Sequence, residues 1–335
     1  MVNRSWLARG AEEAIEPELE IVDPHHHMWD TETRYGRYEL DDLRLDTDAG
    51  HNVVETVFID CGANYRVDGP VELRPVGETD YIAGRAAASR QTPGATIAAI
   101  VSHADLTLGQ PVGDVLAAHV DSAGGANDGL FRGIRHSGAR SDDEAIPVSR
   151  VQPPADLYRE PAFQEGARTL AAMGLSFEAW QYHPQLDMVV DLARAVPELP
   201  IVVNHLGGPI GVGSYSDRRN EVLTDLRASL AALAEHGNVS LKVGGIGMTR
   251  FGARWHEAEE PPTSDQLLAE WGDTLRFAID TFGPDRCMFE SNFPVDGETT
   301  SYTVLWNTFK KASTGYTPAE RADLFAGTAR RFYRL

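Results

Sequence analysis

Eight apolar, strand-like runs, most of them followed by a helix-like stretch, constrain this chain more than any other feature it carries. The runs fall at residues 21–22, 53–60, 95–101, 130–136, 175–180, 200–206, 239–243 and 287–294. Helix-like stretches follow at 80–90, 112–123, 161–173, 186–195, 220–236 and 264–282, and 301–311 and 318–333 close the chain. Repeated β-then-α units with no shift in composition call for a parallel sheet covered by helices. Eight of them predict an α/β fold of the (β/α)8, or TIM-barrel, type with long loops at its C-terminal face. A doubly wound open sheet is the runner-up, but it needs a glycine-rich phosphate turn after the first strand, and here histidines stand there instead. The 335 residues suit one elaborated barrel, since such domains run to ~250 residues and beyond. We expect an N-terminal arm over residues 1–20 and a single barrel domain over 21–335, with the polar insertion at 31–51 as an active-site loop.

In a barrel, polar residues at the carboxyl ends of different strands meet at one mouth. Those found here are His25 and His27, Asp60, His103 and Asp105, Arg135 and His136, Glu178 and His183, His205, Lys242, and Glu290 with Asn292. Surface histidines scattered at random would not recur at strand ends. On an extended backbone His25 and His27 project from the same face. Neutral imidazoles suit borderline divalent metals, so the pair supplies either half of a metal site, with zinc or manganese as the metal, or two polarising groups in a metal-free pocket. Arg135 suits bidentate recognition of a carboxylate. The bland readings are a histidine run packed at a strand end, Glu290 in an ion network with Arg135 or Lys242, and Cys61 as inert core. Aromatics near the mouth, Trp29, Tyr35, Tyr38, Phe251 and Trp255, read either as lid faces for a cyclic substrate or as packing.

Composition excludes several classes. A net charge of −20 leaves no basic surface for nucleic acid or an anionic membrane. No run approaches the ~18 apolar residues that span a bilayer, and residues 1–20 have no apolar signal core and turn acidic. We therefore expect a cytoplasmic protein acting on a small molecule, without an organic cofactor, its two cysteines, Cys61 and Cys287, reduced.

Four stretches carry a family resemblance: Asp23-Pro24-His25-His26-His27, Phe131-Arg132-Gly133-Ile134-Arg135, Asn204-His205-Leu206-Gly207-Gly208-Pro209 and Ser291-Asn292-Phe293-Pro294-Val295-Asp296. In order and spacing they resemble the amidohydrolase superfamily, and within it the branch that holds 2-pyrone-4,6-dicarboxylate lactonase and fuconolactonase. The resemblance implies metal ligation by His25, His27 and His183, with His205 as ligand or carbonyl polariser. It also implies an eighth-strand aspartate that binds metal or activates water, and that position is Asn292. An amide has no useful basicity near neutral pH. Glu290, Asp296 and Glu178 are the carboxylates able to replace it, Glu290 first and Glu178 second as base.

The expectation is a hydrolase that opens a lactone or a related carbonyl compound. Glu290, His205, Asn292 and Glu178 form the catalytic group; Arg135, His136, Lys242, Asp296 and Tyr215 contact substrate. A nonoxidative decarboxylase is the first alternative, and a catalytically inactive barrel kept as a binding module is the second. Chains of this kind commonly form homo-oligomers.

Overall fold

The computed structural model describes residues 2–126, 129–148 and 151–335. Strands β1 (Glu20–His26), β2 (Asn52–Ile59), β3 (Thr96–Ser102), β4 (Phe131–Arg135), β5 (Ser176–Ala179), β6 (Ile201–Val203), β7 (Val239–Gly244) and β8 (Cys287–Glu290) pair in parallel and in chain order. The seam between first and last strands is closed just beyond β8. Asn292 N–H donates to the His25 carbonyl at 2.9 Å, His27 N–H donates to the Phe293 carbonyl at 2.8 Å, and His26 bridges Phe293 in the parallel sense. The (β/α)8 expectation is thus met.

The strands are rich in β-branched residues because both of their faces are covered. Inside, Val22, Val57, Ile59, Ala99, Val101, Val202 and Met288 pack with Ala326, Ala329 and Tyr333 from the end of the chain. This plug lies at the strand starts, where Arg330 pairs with Glu20 and Glu55. Outside, helices bury one stripe each. In α6 (Leu186–Ala195), Leu186, Val189 and Leu192 recur along one face and have no exposed surface. Burying a side chain of this size contributes roughly 1.5–3 kcal/mol, and Leu192→Ala would cost roughly 2–5 kcal/mol.

Three segments differ from their sequence reading. The insertion at 31–51 contains α2 (Leu40–Thr47), opened by a reciprocal Glu39–Asp42 capping box; its polar composition hid the helix. Helix α3 (Val76–Ser89) begins before residue 80 because Glu78 turns inward and accepts the Cys61 and Ala63 amides at 3.1 and 2.7 Å. The closing helix is broken into α10 (Pro318–Ala322), a π turn at Asp323–Gly327 and α11 (Thr328–Tyr333).

The first residues lie along the mouth loops. Val2 N–H donates to Tyr35 O at 3.2 Å, Arg4 pairs with Asp46 at 2.8 Å, and the Trp6 indole donates to the Ala258 and Glu259 carbonyls at 3.2 Å each. No disulfide joins the two cysteines, Cys61 and Cys287. No helix among the described residues is long and apolar enough to cross a membrane.

Candidate active site

Pro24 has no amide hydrogen, and the β1–β2 register slips between Asp23 and His26, the kind of irregularity where a strand tolerates proline. Past it, His25 and His27 converge, with Nε2 atoms 3.3 Å apart. His26 turns away to Thr56 Oγ1 at 3.1 Å. The Nδ1 atom of His27 lies 2.8 Å from the Ile59 carbonyl, which can only accept, so Nδ1 carries the proton. The Nδ1 atom of His25 lies 2.8 Å from Glu290 Oε2. Burial holds both rings well below the ordinary imidazole pKa, reinforced by Lys242 beside His25 and Arg135 beside His27. Both are neutral; His27, protonated on Nδ1, turns a bare Nε2 toward His25, whose Nδ1 also lies 3.2 Å from Lys242 Nζ.

Glu290 projects inward from the end of β8 because Gly244 stands opposite it in the ladder. A Cβ at Gly244 would come within 2.4 Å of Glu290 Cγ. The Glu290 Oε1 atom accepts from His205 Nδ1 at 2.7 Å and from the His205 amide at 2.9 Å. One carboxylate therefore stands behind two imidazoles. His205 adopts φ 52°, a left-handed conformation that costs a non-glycine residue of order 1 kcal/mol or more, and the two bonds to Glu290 help hold it. Burial raises the Glu290 pKa, while Lys242, the His205 amide and Arg135 oppose the rise by favouring its carboxylate; burial keeps His205 neutral, with Arg135 and Lys242 acting the same way.

Asn292 lies beside them, also at positive φ (55°), with Nδ2 donating to Asp296 Oδ1 at 2.7 Å. Asp296 Oδ2 accepts the Gly247 amide at 2.8 Å, and burial raises its pKa well above the carboxylate range. Arg135 places Nη1 3.4 Å from His25 Nε2, and its Nη2 donates to the Asp60 carbonyl. A cavity of about 360 Å³ opens above, lined by His27, His205, Asn292, Arg135 and Cys61, with Trp29, Tyr35, Trp180, Arg34 and Arg250 around it. A larger cavity of about 710 Å³ lies between the 209–223 and 249–257 loops and includes none of these imidazoles. The smaller one is the candidate site because the converging polar groups line it.

Other residues singled out from the sequence sit elsewhere. Glu178 and Lys242 are fully buried and bonded to each other at 2.8 Å. Neither lines the mouth cavity, so neither is placed to touch substrate or water there. The Nδ1 atom of His183 accepts the Ile210 amide at 3.3 Å, and its ring meets Tyr215 edge-on at 5.3 Å; the described contacts do not bring it to His25 or His27, and Tyr215 lines the larger cavity. His136 and His103 meet edge-on at 5.0 Å in a side cavity that shares Arg135 and Trp180 with the mouth. Asp296 reaches the site only through Asn292. Phe251 and Tyr38 pack in the core, and the Trp255 indole bonds Glu270 at 3.2 Å, so of the five aromatics named from the sequence Trp29 and Tyr35 face the cavity.

Whether a divalent metal suits this site turns on lone pairs. The Nε2 atoms of His25 and His27 stand 3.3 Å apart, and two imidazoles on one tetrahedral zinc, with bonds of ~2.0–2.1 Å, stand about 3.4 Å apart. Glu290 behind His25 and His205 supplies the outer carboxylate that orients ligating imidazoles. His25, His205 and Glu290 offer donor atoms within 4.8 Å of one another. Glu290 meets the Nδ1 atoms of both rings at 2.7–2.8 Å, behind the metal-facing side, so we assign Glu290 to the outer layer and the Nε2 atoms of His25 and His27 to the metal. The donor set fits, and Arg135 is the resident cation with which a metal would compete.

Sequence reasoning missed Arg250 and Trp180. Arg250 closes the glycine-rich run after β7, and a charged residue ending such a run is the signal that could have found it. Its guanidinium stands 5.9 Å from the Trp180 ring.

The family model described as "Amidohydrolase" matches residues 22–335. An uncharacterized protein of Sinorhizobium fredii is 31% identical, over 95% of this chain and 99% of its own length. The L-fucono-1,5-lactonase of Burkholderia ambifaria is 26% identical over 94% of this chain and 95% of that protein. Among solved structures, an amidohydrolase of Burkholderia multivorans with bound zinc superposes with a TM-score of 0.71 at 23% identity, covering 94% of this chain and 99% of that one.

Proposed function

The chain belongs to the amidohydrolase family and is an enzyme of that superfamily, and from this premise we propose that it hydrolyses a small cyclic ester bearing an anionic group. The observation that carries the reading is the Glu290 carboxylate shared by the Nδ1 atoms of His25 and His205. Accepting from Nδ1 of His205 at 2.7 Å, it fixes the tautomer of that ring, so that Nε2 of His205 faces the cavity as a base. This is the role the third member plays in a nucleophile–histidine–carboxylate unit. Asn292, standing where the family resemblance implies an aspartate, cannot take a proton; the dyad of His205 and Glu290 takes that function, and Asn292 orients water or substrate.

In the forward reaction His205 Nε2 removes a proton from water as the water oxygen bonds to the lactone carbonyl carbon. Arg135 faces the oxygen on which negative charge develops. Collapse of the tetrahedral adduct breaks the ring C–O bond, and the proton on His205 passes to the departing alkoxide. Water is consumed and a hydroxy acid is formed. His25 and His27 would hold a divalent metal through Nε2, and a metal there lowers the pKa of water and polarises a carbonyl. Arg250 and Arg34 around the cavity suit a carboxylate or similar anion, and Trp29, Tyr35 and Trp180 suit the face of a ring. The lactonase names among the relatives support the ester.

The test is a panel of aldonolactones and carboxylated unsaturated lactones, followed by acid release and by incorporation of heavy oxygen from labelled water. The expected result is one labelled oxygen per ring opened. Release of carbon dioxide from an aromatic or unsaturated acid, without label uptake, would replace this reading with a decarboxylase.

A further inference from the structure

The chemistry at the mouth uses Glu290 and leaves the layer beneath it unexplained. There Glu178 accepts from three groups: Tyr333 Oη on one oxygen, and Lys242 Nζ at 2.8 Å and Asn204 Nδ2 on the other. Lys242 also donates to the Pro24 carbonyl at 2.9 Å. All four side chains are fully buried. Apolar side chains of similar volume would stabilise a core about as well as this ion pair, because desolvation offsets most of the attraction between buried charges. Stability is therefore a weak reason for the network.

What each arm of it grips is a better reason. Pro24 directly precedes His25, and Asn204 directly precedes His205. The third arm ends on Tyr333 at the close of α11, in the plug that fills the bottom of the barrel. We propose that Glu178, held by Tyr333, is a positioning residue through which the C-terminal helix sets the placement of the His25 and His205 rings over their shared carboxylate. The proposal rests on the reading of those two histidines as the reacting groups.

The test compares Tyr333→Phe, which keeps the ring and removes one hydroxyl, with Tyr316→Phe, which removes a hydroxyl bonded to Asp280 on the outside of the barrel. The first readout is the imidazole nitrogen spectrum of the folded protein, which needs neither substrate nor metal. Tyr333→Phe should move the His25 and His205 signals while its melting temperature stays close to that of the parent; Tyr316→Phe should move neither signal. Asn204→Leu severs one arm and should move His205 more than His25, and it serves if Tyr333→Phe does not fold. On any lactone that is turned over, Tyr333→Phe should lower kcat about 10-fold, the scale for groups that orient a reacting residue, with KM little changed. Unaltered His25 and His205 signals in a folded Tyr333→Phe protein would overturn the proposal. Failure of the whole lactone panel would overturn the proposed reaction alone, because the spectra decide the positioning role independently.

Discussion

Glu290 bonds His205 twice, through Nδ1 at 2.7 Å and through the backbone amide at 2.9 Å. The side-chain bond sets the tautomer and the backbone bond sets the strained turn that carries the ring. An amide at 290 could offer N–H to Nδ1 and so stabilise the wrong tautomer. Glu290→Gln should therefore lower kcat by roughly 10²–10⁴-fold, the range for loss of general-base catalysis. Steady-state kinetics on the responding lactone, with a thermal melt to establish folding, would check this. A loss of less than a few-fold would remove the dyad from the mechanism.

Gly244 matters for a reason unrelated to flexibility. The hydrogen at its Cα leaves the space that Glu290 Cγ fills. Gly244→Ala should destabilise the fold by roughly 1–3 kcal/mol, typical of overpacking, and should reduce activity in whatever protein still folds. Urea unfolding measures the first effect. Activity at parental level in Gly244→Ala would show that Glu290 can move without consequence.

Arg250 lines the mouth and has no hydrogen bond to His25, His27 or His205 among the described contacts, so its removal should weaken binding more than chemistry. Arg250→Gln should raise KM for an anionic substrate by about 10-fold or more, consistent with a lost charge-assisted hydrogen bond, and should leave kcat largely intact. Initial rates on a matched pair of charged and uncharged lactones separate the cases. An equal rise in KM for both would point to shape instead of charge.

Metal content gives a separate check. Equilibration with zinc followed by exhaustive dialysis should leave metal on the parent protein and little on His27→Ala or His25→Ala, as read by elemental analysis. The parent should also melt higher with zinc than after chelation, because a ligand that binds only the native state stabilises it. Equal zinc retention by the two variants and the parent would exclude the Nε2 pair as the binding site.

Two histidines remote from the mouth make stability depend on acidity. Burial lowers His51 and His119 to about 4 from 6.5. The unfolded chain therefore binds more protons than the fold between those limits. Their contribution is fully present above about pH 6.5 and is lost as pH falls toward 4, at about 1.4 kcal/mol per pH unit for each proton. His119→Gln should flatten that decline by close to one proton. Denaturation free energies at several pH values would show it, and an unchanged slope would mean that His119 is charged in the fold.

Much of this was legible because a barrel converts position into place. Strand ends meet, so His25, His27, Arg135, His205, Glu290 and Asn292 could be gathered from sequence alone. Depth was less legible. Glu178, Lys242 and Glu290 all lie on inward faces near strand ends, but only the register and the absent Cβ of Gly244 decide that Glu290 stands behind two rings and that the other two lie beneath the cavity. The family pattern groups His183 with the ligands, whereas the turn after β5 carries it to Ile210 and Tyr215. Arg250 escaped because loop residues follow no periodicity. Helix α2 escaped because its face is polar, and its start is fixed by a reciprocal cap.

The hydrogen bonds that close the barrel are made by His25, His27, Asn292 and Phe293. The bonds that complete the barrel are therefore the same bonds that set the β1 imidazoles beside the residues that follow β8. Substitutions at the seam should act on stability and on rate together.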